Sequence, residues 1–174
     1  LGFSLLYQKS ESDQDGFPAP AFTFADTAEQ EFAKRFGGRV YAEIETGAVS
    51  HTLSLSGMKT EREYPSGFSR NFTGERMELD YRGVADIGAA SLAFGVTSSE
   101  EKFTIDALSA DYRINSVFAE YQRALSDRTD FSLSARHDDH SEFGGFTSGR
   151  AALAFRPSEG TVIRASVGNG FRAP

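Results

Sequence analysis

Apolar residues recur at every second position in one segment after another of this chain, and a period of two is the geometry of a β-strand with one dry face. The apolar phase comprises Phe3, Leu5 and Tyr7; Val40, Ala42 and Ile44; Leu53 and Leu55; Met77, Leu79 and Tyr81; Ala90, Leu92, Phe94 and Val96; Val117, Ala119 and Tyr121; Phe131, Leu133 and Ala135; Ala151, Leu153 and Phe155; and Ile163, Ala165 and Val167. No charged residue falls in it. The opposite phase collects Arg39, Glu43, Glu45, Arg76, Glu78, Asp80, Arg82, Glu120, Arg136, Asp138, Arg150, Arg156 and Arg164, together with many serines and alanines. The pattern predicts an all-β chain, an antiparallel up-and-down meander of about nine strands. In a soluble sandwich the dry face would form a core. In a membrane barrel it would meet lipid, and the wet face would line a lumen. Alternation by itself leaves both open.

Composition narrows the choice. The mean hydropathy is −0.38, and no run approaches the roughly 20 apolar residues that a membrane helix needs. A helical membrane protein is excluded, whereas a barrel is not, because only alternate residues of its strands must be apolar. With 18 Lys and Arg against 25 Asp and Glu, the basic residues scattered singly, nucleic acid is not an expected partner. The absence of cysteine removes disulfide frameworks, thiolate metal sites and a cysteine nucleophile. Catalytic arrangements are missing too. No G-x-S-x-G elbow occurs, no Gly-rich phosphate loop follows a strand, and Gly168-Asn169-Gly170 opens no helix. The chain is therefore read as a non-enzyme with no cofactor. It opens at Leu1 inside an alternating segment, without the regions of a signal peptide, as a mature product or an excised piece would.

The connections favour the barrel. Outer-membrane barrels have short periplasmic turns and long extracellular loops, so link lengths should alternate. Residues 10–37 read as a long link and Thr46-Gly47-Ala48-Val49 as a short one; 61–71 as long and Gly83-Val84-Ala85-Asp86 as short. Residues 98–111 read as long and Ser126-Asp127-Arg128-Thr129 as short; 139–145 as intermediate and Pro157-Ser158-Glu159-Gly160 as short. If the short turns are periplasmic, Tyr81, Tyr121, Phe131 and Phe155 form an aromatic girdle beside them. In the first long link, Asp26 and Glu29 are spaced as a capping box, Phe32 and Phe36 lie four apart, and Gly37-Gly38 is a stop, which predicts a short helix.

The most specific signal lies in the C-terminal third: Arg136-His137-Asp138-Asp139-His140-Ser141-Glu142-Phe143-Gly144, then Gly149 to Pro157, then Ile163-Arg164-Ala165-Ser166-Val167-Gly168-Asn169-Gly170-Phe171-Arg172-Ala173-Pro174. This resembles the mid-barrel region of TonB-dependent receptors, in which an R-x-D-x-x-x-x-FG strand and loop precede a strand ending in P, and a further strand ends G-x-GFRAP. The resemblance covers about 40 residues closely. It implies a barrel of about 22 strands in the Gram-negative outer membrane, filled by a plug that binds the energising protein TonB. It also implies uptake of a metal chelate such as an iron-siderophore, cobalamin or haem. On that reading the chain is a partial barrel domain, with plug and remaining strands outside it. The rival readings are a complete small outer-membrane barrel, a soluble β-sandwich acting as a binding module or adhesin, and a porin-like diffusion channel.

Candidate sites follow from residue type. Tyr64, Phe68, Arg70 and Phe72 in the second long link, and Phe103, Tyr112 and Arg113 near the third, mix aromatic and cationic groups as a bulky anionic chelate would require. Of the wet-face residues, Arg39, Glu43, Glu45, Arg76, Glu78, Asp80, Glu120, Arg136, Arg150, Arg156 and Arg164 are read as pairing with one another and with the plug rather than as a permeation path. Asp138, Asp139, His140 and Glu142 crowd oxygens and an imidazole into five residues, the ingredients of a cation site. Their spacing matches no EF-hand loop, so a solvated acidic loop is the preferred reading and no metal is expected. His51, in the apolar phase beside a short turn, is read as an interfacial histidine.

Overall fold

The computed structural model of the chain describes residues 1–65 and 71–171. Within them nine strands form one antiparallel sheet in chain order: β1 (Gly2–Gly16), β2 (Ala25–Thr46), β3 (Val49–Glu63), β4 (Asn71–Ile87), β5 (Ala90–Ile105), β6 (Leu108–Ser126), β7 (Thr129–His140), β8 (Gly144–Ser158) and β9 (Thr161–Asn169). Strands touch only their sequential neighbours, so β1 and β9 are the two edges. The expected nine-strand meander is what forms.

Register explains why. Residues directly opposed in an antiparallel pair project to the same face. Ala42 opposes Leu53, Leu53 opposes Tyr81, Tyr81 opposes Val96 and Val96 opposes Val117. Lower in the sheet Tyr121 opposes Leu133, Phe131 opposes Leu153 and Phe155 opposes Ile163. The apolar sets of all nine strands thus share one face, an outcome that a one-residue slip at any pairing would destroy.

The apolar band does not run straight across the strands. Following partners from Ala42 in the middle of the β2 set leads through Val117 to His137 and then Thr147, whereas the middle of the β8 set is Leu153. The band has slipped by about six residues in six strand steps. At about 3.3 Å per residue and 4.8 Å per strand, it crosses the sheet at a slope of roughly 35°.

Neither face is covered. Among the described residues Ala33 is the only buried hydrophobic one, while Leu79 and Leu133, in the middle of the band, are 49% and 50% exposed. A sandwich would bury one face against a second layer, and this sheet is a single layer.

The links differ from expectation in instructive ways. β1 and β2 continue into the first predicted long link and leave only residues 17–24 between them. The helix expected there is absent: Asp13 opposes Gln30, Gln14 donates to Glu31 at 2.8 Å, and Phe32 and Phe36 lie on β2. A spacing of four also fits one face of a strand, and pairing along the whole of β1 outweighs a local cap. Gly37 and Gly38 do not stop the element but sit in mid-strand, where a Cβ on Gly38 would stand 3.0 Å from Leu5 Cδ2. The third long link shrinks to Asp106-Ala107, and the short link expected at 83–86 lies instead at Gly88-Ala89. The short turns use Gly47, Gly88 and Gly160 at φ of 62°, 62° and 80°, the left-handed region that tight hairpins demand. Phe131 and Phe155 do stand close to short turns, but with that turn moved, Tyr81 sits seven residues from it.

Candidate functional site on the polar face

The opposite face carries the polar phase, and its side chains are arranged by height. Toward the end of the sheet that holds links 17–24, 64–70 and 141–143, charged and aromatic groups interlock. Arg76 on β4 places Nη2 2.5 Å from Glu78 and Nη1 2.9 Å from Glu101 on β5. The Tyr112 hydroxyl on β6 donates to the other Glu101 oxygen. The Tyr112 ring stacks on His140 at 5.0 Å, and His140 meets Phe143 at 4.8 Å. Phe103 opposes Gly74 beside this group, and the Arg62 guanidinium lies 5.7 Å from the Phe72 ring. Phe72, Phe103, Tyr112, Arg62 and Arg76 line a concavity of about 450 Å³. The concavity brings aromatic rings together with two guanidinium groups, Arg76 paired with Glu78 and Glu101 and Arg62 3.9 Å from Glu31, so it offers ring faces and N–H donors in a wall whose charges are largely balanced.

Phe72, Phe103 and Tyr112 of the predicted ligand residues are therefore brought together. Arg113 is not: it projects to the other face and pairs with Glu100 at 3.4 Å. Tyr64 lies just past β3, and Phe68 and Arg70 fall outside the described residues. Arg62 and Glu101 were missed because residues 61–71 and 98–111 were read as loops. The parity that puts Ser54, Ser56 and Thr60 on the polar face continues to Arg62, so the signal was present.

In the middle of the face Arg136 Nε is 2.7 Å from Asp138 Oδ1, and the Ser116 hydroxyl, which accepts from Arg136 Nη2 at 2.8 Å, donates to Asp138 at 2.6 Å. Asp80 accepts from Thr97 at 2.9 Å, and Glu45 from Ser50 at 2.7 Å. Arg39 lies over Tyr41 at 5.2 Å, and Glu120 accepts from Gln122. Toward the short turns Arg156 pairs with Asp130 at 2.6 Å. Glu43 also belongs to this face, opposite Thr52. Arg150 and Arg164 stand over a concavity of about 630 Å³ floored by Ser91, Ser132, Ala152, Ala154 and Ser166. Small side chains across β5 to β9 leave space against the wall.

The acidic run on β7 does not converge. Asp138 belongs to the polar face, Asp139 to the other, Glu142 to the turn, and His140 accepts the Glu142 N–H at 3.1 Å on Nδ1. Among the described residues no three such groups are placed to hold a metal ion. Of the sequence motif, Gly144 adopts φ of 74° where β8 begins and Phe171 stacks on Phe146 at 4.7 Å, Gly170 lying just before it. Arg172, Ala173 and Pro174 lie outside the described residues. His51, on the apolar face, is held by the Tyr81 hydroxyl at 2.8 Å and Thr46 at 2.6 Å.

A family model described as TonB dependent receptor-like, beta-barrel, matches residues 1–174. No curated protein matches the sequence. Among solved structures the chain is similar to the siderophore receptor PirA from Pseudomonas aeruginosa, with a TM-score of 0.78 and 17% identity over 99% of this chain and 31% of that one. PirA from Acinetobacter baumannii superposes with a TM-score of 0.74 at 16% identity, covering 99% and 32%. A variant of the ferric enterobactin receptor PfeA from Pseudomonas aeruginosa gives 0.71 at 16% identity, covering 99% and 31%. The chain spans less than a third of the length of these structures.

Proposed function

This chain belongs to the TonB-dependent receptor-like β-barrel family, and from that premise we propose that it is part of the outer-membrane wall of a receptor that takes up a ferric siderophore. The observation that carries the reading is the single sheet with one apolar and one polar face and no core on either, its apolar band sloping at roughly 35°. A band of lipid contact must lie level in the membrane, so the slope is the tilt of the strands, and membrane barrels tilt theirs by about 35–45°. The apolar face meets outer-membrane lipid, and the polar face lines the barrel interior.

Two features support the finer points. The similar solved structures are siderophore receptors, and the concavity at Phe72, Arg76, Phe103 and Tyr112 offers rings and a guanidinium to an anionic chelate whose ligand groups include flat rings. The small-residue wall below it, with Arg150 and Arg164, leaves room for a plug through which TonB acts. Tyr64, just past β3, adds a further ring to the ligand surface in this reading, and Phe68 and Arg70 belong to it on residue type alone. Such a protein transports and does not catalyse.

The test uses the full-length protein in a host lacking its own ferric siderophore receptors. Radio-iron uptake is expected with a ferric siderophore, lost when TonB is deleted. Uptake of haem or cobalamin instead would change the substrate. TonB-independent diffusion would favour a porin, and a detergent-free folded product would overturn the membrane reading.

A further inference from the structure

Two guanidinium groups line the concavity of about 450 Å³, and they differ in what they have left to give. Arg76 has both terminal nitrogens on carboxylates, Nη2 on Glu78 at 2.5 Å and Nη1 on Glu101 at 2.9 Å, and the second Glu101 oxygen takes the Tyr112 hydroxyl. That group is a closed frame tying β4, β5 and β6 together. Arg62 on β3 makes no hydrogen bond among the described residues. Its nearest carboxylate oxygen, Oε1 of Glu31 on β2, stands 3.9 Å from Nε, beyond hydrogen-bond range. Nε itself is buried without a partner, a state rare enough in folded proteins to call for a reason.

The reason lies in how the strands hold the two partners. Arg62 directly opposes Phe72 of β4, and its guanidinium lies 5.7 Å from that ring, within range of cation–π attraction. Glu31 sits beyond Phe32 and Glu63, the last β2–β3 pair, and is held from the other side, its Oε2 accepting from Gln14 of β1 at 2.8 Å. The carboxylate is tethered to β1 and the guanidinium to β4, so the gap between them stays open. The Arg62 side chain is 39% exposed and lines the concavity, and with Nε enclosed its terminal nitrogens are the donors open to a guest. Net charge does not recruit that guest. Arg35, opposite Thr60, brings the local arginines to three, against Glu31, Glu78 and Glu101. Recognition therefore falls to the unspent donor on the wall.

We propose that Arg62 binds the charged oxygen of the guest and sets the preference of this site for an anionic chelate over an uncharged one, while Arg76 with Glu78 and Glu101 holds the wall in shape. The oxygen takes the terminal N–H groups of Arg62 in a charge-assisted bond, and the guest's rings lie toward Phe72, Phe103 and Tyr112. No internal hydrogen bond is broken to make room for it. Glu31 repels the same anion across the guanidinium and so limits the affinity. The inference rests on reading this concavity as the chelate site, and its test separates the two.

Full-length protein in detergent is equilibrated with two radio-iron chelates, one of a synthetic tricatecholate, a trianion with flat rings, and one of a synthetic trihydroxamate, which is uncharged. Arg62→Gln is expected to weaken the tricatecholate by about tenfold, the worth of one charge-assisted hydrogen bond, and to leave the trihydroxamate nearly unchanged. Arg62→Lys should recover only part, because an ammonium keeps the charge and loses the fork. Glu31→Gln should strengthen the tricatecholate, a gain that a damaged fold would not produce. Equal loss of both chelates in Arg62→Gln, unchanged tricatecholate binding there, or weaker binding in Glu31→Gln would overturn the proposal. A wild-type protein that retains only the trihydroxamate keeps the siderophore reading and overturns the assignment of Arg62. One that retains neither chelate refutes the siderophore reading itself, and the assignment with it.

Discussion

The ring of Phe118 on β6 covers Gly95, its direct partner on β5: a Cβ at Gly95 would lie 2.7 Å from Phe118 Cε1 and would collide with the Tyr81 carbonyl oxygen. An aromatic side chain here fills the gap that a mid-strand glycine leaves. Gly95→Ala must displace both the ring and a backbone carbonyl, at an expected cost of about 1–3 kcal/mol. Gly57→Ala is the control, its nearest neighbour being Arg76 O at 3.8 Å. Urea unfolding of the full-length protein in lipid vesicles should separate the two, and equal stabilities would refute the packing.

The two faces predict opposite tolerance at adjacent positions. Leu133 lies in the middle of the β7 apolar set, while Ser132 beside it faces the polar side opposite Gln122 and Ala152. Leu133→Arg should cost about 2–4 kcal/mol in a bilayer. Ser132→Arg should change stability by less than about 1 kcal/mol. Similar losses at both positions would remove the assignment of faces.

The phase of every strand was legible from alternation because the apolar face takes each second residue independently of its neighbours. Strand ends were not. Past the band, the outer phase turns charged at Lys59, Glu75 and Lys102, so the apolar signal stops while the hydrogen-bonded ladder continues. Residues 98–111 therefore resembled a loop, and Tyr112 and Glu101 were separated on paper although they touch. The segment from Asp26 to Gly38 shows the reverse failure. Local cap chemistry is real there, but its competitor, pairing with β1, is formed by residues some 15 to 33 positions upstream that a local pattern does not weigh.

Arg136 and Asp138 should show a measurable but small coupling. Both are partly exposed, at 43% and 31%, so screening holds their double-mutant coupling to about 0.5–1 kcal/mol. Ser116→Ala should reduce it, because that hydroxyl bonds to both partners. A coupling of zero in unfolding cycles would mean that the pair is not formed in the membrane.

Tyr112 separates ring from hydroxyl in ligand binding. Tyr112→Phe retains the stack on His140 and loses the bond to Glu101. Tyr112→Ala loses both. If the rings form the guest's floor, ferric siderophore binding should fall by roughly tenfold in the alanine variant and by much less in the phenylalanine one. Unchanged affinity in Tyr112→Ala would move the site elsewhere.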